Sequence, residues 1–535
     1  MPDPKRGATA IHLADLLRKA VRAYPRKQAI RCPGGAFTYE EFAQRVYRLA
    51  RSLVERGLRE GDRVAILQYN CHTFLETYFA TALTNTILVP LNYRLSAREI
   101  DFILRDSEAR ILIAQADFSS ITPSFESRPP ALDSIIWIEP TATLRAVDSE
   151  YEGLLASASA DPLPPRGPGD DAVAQIYYTS GTTGRPKGVM LTHRNGCLHA
   201  LGTIAELNLK DSDVWIHVAP LFHLADAWAT WAVTWVGGTH VFVREFNPQA
   251  VIETMVREKV TLTNMIPTML NLLIHHPGFE ACTFPHLRVI LSGGAPIAPE
   301  TVRKIIEGFR CDYIQTYGMT ETSPYLTLSL LKAHLKSIPP EEQLFYQAKT
   351  GREFIGVSLK VVRENGQEVL SNDQEVGEII VKGDTVTPGY WKLPEETQKA
   401  FKDGWLYTGD LAVIDREGYV NIVDRKKDMI LSGGENIYST EVENILYQHP
   451  RILEAAVFGI PDPKWGEAVQ ATVVLKTGEQ ATAEEIIRFC KDHLAHYKAP
   501  KGVAFLDQLP RTGSGKLYKK ALRDPYWGGK GKKVQ

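Results

Sequence analysis

Residues 178–188 read Tyr-Thr-Ser-Gly-Thr-Thr-Gly-Arg-Pro-Lys-Gly. Glycine lets backbone approach a ligand closely and exposes N–H groups that can cradle an anion. Around Gly181 and Gly184, the hydroxyls of Thr179, Ser180, Thr182 and Thr183 add donors, and Lys187 adds a positive charge. The combination suits a polyphosphate. A Gly/Thr-rich run is also what a surface turn is made of, but hydroxyl and glycine positions in succession, followed by a lysine, favour the anion site. The spacing is not G-x-x-x-x-G-K-[ST], so a P-loop NTPase is not supported.

Four further groups carry chemistry of their own. In 315–322, Gln-Thr-Tyr-Gly-Met-Thr-Glu-Thr, Tyr317 offers a face to a base and Thr320 a hydroxyl to a phosphate. Glu321 offers a carboxylate, the hard oxygen ligand that magnesium prefers. Alone, this is a turn with a polar face. Asp410 ends Trp-Leu-Tyr-Thr-Gly-Asp at a glycine turn, which is ordinary turn chemistry or a carboxylate that accepts from a ribose diol. Asp424 to Asp428, followed by Ser432-Gly433-Gly434-Glu435-Asn436, is a solvated charge run or a hinge. Lys516 closes Pro-Arg-Thr-Gly-Ser-Gly-Lys, where flanking glycines allow a mobile loop to reach a site elsewhere. Neither a G-x-S-x-G elbow nor H-E-x-x-H is present, so those hydrolases are not indicated.

Periodicity supplies the elements that must position these groups. Residues 63–69, 109–115, 134–140 and 240–246 are β-rich runs, and 42–57 and 248–260 have helical spacing. Their alternation predicts an α/β fold with largely parallel sheets. From about 353 to 424 the pattern turns to strands and turns, a β-rich subdomain. A small α+β module follows. The expected division is a large domain over 1–424, a hinge near Lys427 and a mobile C-terminal domain over 428–535.

A chain of 535 residues is too long for one core. It is 44% hydrophobic, 23% charged and has a net charge of −2, which gives no reason to expect a nucleic acid partner. Six scattered cysteines form no C-x-x-C pair and suit reduced thiols in a cytoplasmic enzyme. The N-terminal stretch has no apolar h-region, and the apolar run 228–243 is broken by Thr, Gly and His. Neither a secretory leader nor a membrane span is expected.

Taken in order, YYTSGTTGRPKGV, YGMTE, YTGD, DRKKDMILSGGENI and PRTGSGK resemble the motifs of the adenylate-forming superfamily of acyl-CoA synthetases, luciferases and nonribosomal adenylation domains. LNYRL, PLFH, SGGAPI and GYW resemble further motifs of it, and the likeness runs from Tyr39 to Leu522. The resemblance implies ATP, Mg2+ and coenzyme A as cofactor and co-substrates. Residues 179–187 would hold the β- and γ-phosphates. Tyr317 would pack on adenine opposite Gly294 and Ala295. Thr320 would meet the α-phosphate, Glu321 the magnesium, Asp410 the ribose with Arg425 as partner, and His223 the acid's carboxylate. Lys427 would be the hinge, Gly433 and Gly434 would line the pantetheine channel, and Lys516 would bridge carboxylate and nucleotide. Asp424 departs from the glycine common before the hinge arginine.

The implied reaction is acid activation as an acyl-adenylate and transfer of the acyl group to CoA. The expected partners are small molecules, with a homodimer as one possible assembly. A ligase that loads a carrier protein, and a member that only binds nucleotide, are alternatives; the presence of Glu321, Asp410 and Lys516 disfavours the second. For the acid, Trp228, Trp231 and Trp235 stand at i, i+3 and i+7, which on a helix would put them on one face. The resemblance makes Trp228 the residue bordering the acyl channel. Met265, Met269 and Leu270 add a pliable apolar wall, and no basic residue lies in 219–237. A medium- to long-chain fatty acid is expected, with short-chain, thioether or aryl acids as alternatives. Lys516→Ala should cripple adenylate formation by about 3–4 kcal/mol of transition-state stabilisation. Thioester formation from supplied acyl-AMP should be largely spared; equal damage to both half-reactions would contradict the role.

Overall fold

The computed structural model describes residues 11–32, 35–125, 127–139, 149–164, 169–179, 186–295, 297, 299–511 and 517–528. Ser180, Gly181, Thr182, Thr183, Gly184 and Lys516 lie outside them. The β-rich runs fold as expected, with strands Arg63–Leu67, Ala109–Gln115, Ser134–Ile138 and Thr239–Phe242. Helices begin where the sequence offers caps. Thr38 with Glu41, Ser96 with Glu99 and Thr192 with Asn195 form reciprocal capping boxes that satisfy orphan N–H groups of the first turn.

A seven-stranded sheet runs from Ser149–Glu150 through Ser134–Ile138, Ala109–Gln115, Arg63–Leu67 and Ile87–Pro90 to Val173–Thr179 in parallel. The hairpin strand Lys187–Thr192 ends it. A fourteen-stranded sheet has a parallel centre of Thr239–Phe242, Val214–His217, Leu262–Met265, Val289–Gly293 and Asp312–Gly318. Its ladder continues, antiparallel, through Tyr325–Leu328, Gly351–Glu353, Tyr419–Arg425 and Trp405–Ile414. The segment read as a β-rich subdomain is thus hydrogen-bonded into the large sheet.

The helix His72–Thr84 is buried at every residue after His72, which explains its lack of an amphipathic pattern. Its dry threonine hydroxyls bond back to the helix: Thr77 Oγ1 to the Thr73 carbonyl at 2.8 Å and Thr81 Oγ1 to the Thr77 carbonyl at 2.9 Å. Tyr78 ties the seven-stranded sheet to the loop that follows Val214–His217 of the large sheet. Its hydroxyl meets that of Tyr177 at 2.7 Å and donates to the Leu221 carbonyl at 2.9 Å.

The third sheet, of five strands, includes Ile430–Ser432, Glu435–Ile437, Ile452–Asp462 and Gly466–Leu475. It has its own core of Ile430, Ile437, Val442, Leu446, Val457 and Val469. Its link to the large sheet is polar. Asp424 accepts from the Ser439 N–H at 2.6 Å and hydroxyl at 3.0 Å, and Lys519 Nζ reaches Ser439 at 2.7 Å and Glu443 at 2.8 Å. No disulfide joins the described cysteines, and no described helix is long and apolar enough to cross a membrane.

Burial holds His12 down to about 4 and His199 to about 3, and pushes His193 and His240 well below the ordinary value. A neutral histidine in the fold that charges when unfolded gives stability that is complete above about pH 6.5 and is lost as pH falls towards the folded-state value. For His199 that window runs from about 6.5 down to about 3. Each such group should cost about 1.4 kcal/mol per pH unit inside its window. Urea midpoints measured from pH 7.5 to 5 should fall accordingly, and less steeply in His199→Gln. An identical slope in the variant would show that His199 does not contribute.

Candidate active site

The parallel strands of the large sheet end together, the place where open α/β sheets bind ligands. Gly293, ending Val289–Gly293, pairs with Thr316, and a Cβ there would sit 2.2 Å from Thr316 Oγ1. Only glycine permits that approach, and Gly294 and Ala295 follow it directly in the chain. Gln315 fixes the loop by donating from Nε2 to the Ala295 carbonyl at 3.1 Å.

Tyr317 does more than present a ring. Its hydroxyl donates to Asp410 Oδ2 at 2.7 Å, and burial followed by the Asp410 charge raises its pKa far above the ordinary phenol range. It therefore stays protonated. Asp410 is 8% exposed and pairs in strand register with Arg425, whose Nε is 3.3 Å from Oδ1. The Arg425 side chain is 54% exposed, so this ion pair is solvent-screened and can yield to a ligand.

A second group surrounds Glu321, which lies with Thr320 in the short 3-10 turn Thr320–Thr322. The Tyr390 hydroxyl donates to Glu321 Oε1 at 2.9 Å, and the Thr387 N–H donates to the Glu321 carbonyl at 2.7 Å. Burial, then the Glu321 charge, pushes the Tyr390 hydroxyl up. The face of Tyr390 lies 5.5 Å from Lys187 Nζ. Lys187 pairs with Glu396, and first Lys187, then Lys399, hold that carboxyl down to about 2. Thr179 faces Lys187 across the hairpin. Lys187, Tyr390 and Glu321 thus form one connected series, with Thr179 across the hairpin from Lys187.

Among the described residues no set of three or more His, Cys, Asp or Glu is placed to hold a metal ion. The Glu321 carboxylate, linked through Tyr390 to Lys187, nevertheless fits magnesium, which is commonly bound by one or two carboxylates plus substrate phosphates and waters.

His223 caps the helix Leu224–Ala227 by accepting from the Ala225 N–H at 3.1 Å. Trp228 stands, in helical conformation, between that helix and Ala229–Val236, and the three tryptophans have different partners. Trp228 packs on Trp215 and Tyr325, with ring centroids 5.0 and 5.3 Å away. Trp231 packs on Tyr78 and Phe79, and Trp235 lies under Lys19. The register of Gly318 with Tyr325 joins the Trp228 wall to the strand carrying Tyr317. Burial, then Arg425, lowers the pKa of half-buried Lys427. Gly433 and Gly434 form the tight turn of the third sheet's hairpin with φ of 62° and 87°, left-handed values that glycine adopts without strain.

Sequence reading did not give Tyr390 or Glu396 their parts. Tyr390 sits in the GYW motif but carries no sign of its carboxylate partner. Glu396 lies 209 residues from Lys187, a separation that no local spacing reveals.

Comparison with known proteins agrees with this geometry. The model for "AMP-binding enzyme" matches residues 17–391, and that for "AMP-binding enzyme C-terminal domain" matches 441–516. A feruloyl-CoA synthase of Amycolatopsis sp is 38% identical, over 94% of this chain and 97% of its own length. A long-chain-fatty-acid–CoA ligase of Thermus thermophilus is 36% identical, over 96% of each. The crystal structure of ATP-bound MatB from Rhodopseudomonas palustris is 32% identical, covers 96% of this chain and 99% of its own, and superposes with a TM-score of 0.85.

Tyr390→Phe should lower the rate of pyrophosphate exchange about tenfold and raise the magnesium concentration for half-maximal rate, because Glu321 loses its charge-assisted hydrogen bond. An unchanged magnesium dependence would place Tyr390 outside the site.

Proposed function

The chain belongs to the AMP-binding enzyme family and is an AMP-forming acid:CoA ligase, and on that footing we propose that its acid is compact, aryl or short-chain. The observation that carries this reading is the state of Trp228. It is 1% exposed and wedged against Trp215, Tyr325 and His199, and its Nε1 donates to the Ala225 carbonyl at 2.9 Å. His199 in turn stacks on Phe354 at 5.3 Å. A wall so tightly packed, a few residues beyond His223, limits how far an acyl chain can extend. A medium- to long-chain fatty acid, expected from the apolar composition of the region, is the rival reading.

The chemistry assigned to the site follows from charge. The acid's carboxylate attacks the α-phosphorus of ATP, pyrophosphate leaves, and an acyl-adenylate forms. The thiolate of CoA then attacks the acyl carbonyl, and AMP leaves. In this reading residues 179–187 hold the β- and γ-phosphates, with Lys187 exchanging Glu396 for phosphate oxygen. Thr320 contacts the α-phosphate. Adenine lies between Tyr317 and the Gly294–Ala295 loop, and Asp410 takes the ribose diol as Arg425 gives way. His223 borders the incoming carboxylate. Lys516 aligns that carboxylate with the nucleotide, two anions that otherwise repel. Magnesium on Glu321 would supply charge neutralisation at the phosphates. No general base is needed in the first step, because the nucleophile is already ionised.

For the second step we assign Lys427 as the hinge between domains spanning roughly 1–424 and 428–535. Gly433 and Gly434 then line the path of the pantetheine arm, where the absence of side chains suits a slender ligand.

The test is a panel of aryl and straight-chain acids of increasing length, with the wild type and Trp228→Ala. The wild type should favour the compact members, and the variant should shift towards longer chains, since each buried CH2 is worth about 0.8 kcal/mol. A wild-type optimum at long chains, with the variant merely less stable, would reverse the proposal and return Trp228 to the core.

A further inference from the structure

We infer that the acyl pocket recognises a hydroxyl carried by the acid, with Asn264 as acceptor and Tyr325 as its second partner; this rests on the compact-acid reading above. Asn264 is 5% exposed in the strand Leu262–Met265 and pairs in register with Leu291 of Val289–Gly293, the strand that runs into Gly294 and Ala295. A central strand buried on both faces is ordinarily apolar, so an amide here needs a reason.

The hydrogen bonds fix how that amide points. Asn264 Nδ2 donates to the Ala225 carbonyl at 2.5 Å, the same oxygen that accepts from Trp228 Nε1. Exchanging the amide's nitrogen and oxygen would set carbonyl against carbonyl, so Oδ1 must be the free end. It is buried and has no hydrogen-bond partner among the described residues. An unpaired buried acceptor carries its full desolvation cost, and native structures seldom keep one without use.

Tyr325 adds a second buried polar group to the same cluster. It is 3% exposed, and its buried hydroxyl has the Trp228 indole N–H as its neighbour, which leaves its own O–H without an acceptor at ordinary hydrogen-bond distance. Its ring packs on Trp228, whose Nε1 shares the Ala225 carbonyl with Asn264. Burial, and then the buried Asp226 charge, keep the phenol protonated, so it can both donate and accept. One side chain therefore lacks a donor, and the other can supply or receive a proton. A hydroxyl, which donates once and accepts twice, satisfies both.

The surroundings favour a neutral group over a second carboxylate. His199 is held neutral by burial and accepts the Tyr325 N–H at 3.3 Å. Asp226 is engaged by Trp215 Nε1 at 3.1 Å and His217 Nδ1 at 2.6 Å. Both leave the pocket without a free positive charge to welcome an anion.

The experiment compares kcat/KM for acids that differ by one hydroxyl: cinnamate against its para-hydroxylated analogue, and butyrate against its terminally hydroxylated analogue. The wild type should prefer the hydroxylated member of at least one pair by about tenfold or more, since a site built to bond a hydroxyl leaves its own polar groups unpaired with the analogue that lacks it. Asn264→Leu should bring that ratio to about one, mainly through loss on the hydroxylated acid. Tyr325→Phe keeps the ring packing and should reduce the ratio severalfold, which decides the matter if Asn264→Leu folds poorly. Turnover of the plain acids at or above the rate of the hydroxylated ones overturns the inference and leaves the compact-acid reading standing. A preference unchanged in both variants, as when a buried water satisfies these atoms, also overturns it. No turnover of any of the four acids removes the compact-acid reading and this inference with it.

Discussion

The backbone register of the large sheet is the constraint on which the site depends. Parallel pairing from Val214–His217 to Asp312–Gly318 brings every strand to the same edge at the same level. It places Gly293 against Thr316 and sets Asn264 beside Leu291. The antiparallel extension then returns Asp410 and Arg425 within reach of Tyr317. A slip of one residue would turn each of these side chains to the opposite face. The buried helix His72–Thr84 packs at the junction, where Tyr78 bonds Tyr177 of the seven-stranded sheet and Leu221 in the loop after Val214–His217.

Charge is handled by a repeated device. Two carboxylates, Asp410 and Glu321, each receive a tyrosine hydroxyl, from Tyr317 and Tyr390. A phenol orients and stabilises a buried carboxylate without cancelling its charge, as the proposed ribose and magnesium roles require. Lys187 instead carries the counter-carboxylate of Glu396. That pair keeps the lysine in place and is replaceable by phosphate oxygens. Preorganised groups of this kind cost little to reorganise as charge moves in the transition state.

The sequence was legible where physics is local. Strand and helix placement followed hydrophobic period, caps followed Thr38, Ser96 and Thr192, and the five motifs in order led to the family. The long-range partners were not legible. Nothing near Glu321 announces Tyr390, and nothing near Ala225 announces Asn264, because each pairing is created by the sheet. The tryptophan spacing did not reveal the partners of the three rings. Trp228 lies at the junction of the helices Leu224–Ala227 and Ala229–Val236, and its ring meets Trp215 and Tyr325 of the large sheet. The strands between 353 and 424 were legible as a β-rich part of the large domain, but not their pairing with the strands next to the parallel centre.

The most direct measurement follows AMP, pyrophosphate and thioester together when the protein is given ATP, magnesium, free CoA and a compact carboxylic acid. The account predicts acid-dependent pyrophosphate release, then CoA-dependent AMP release, with one thioester formed per AMP. Formation of ADP, or pyrophosphate release with no thioester on free CoA for any acid tried, would contradict it.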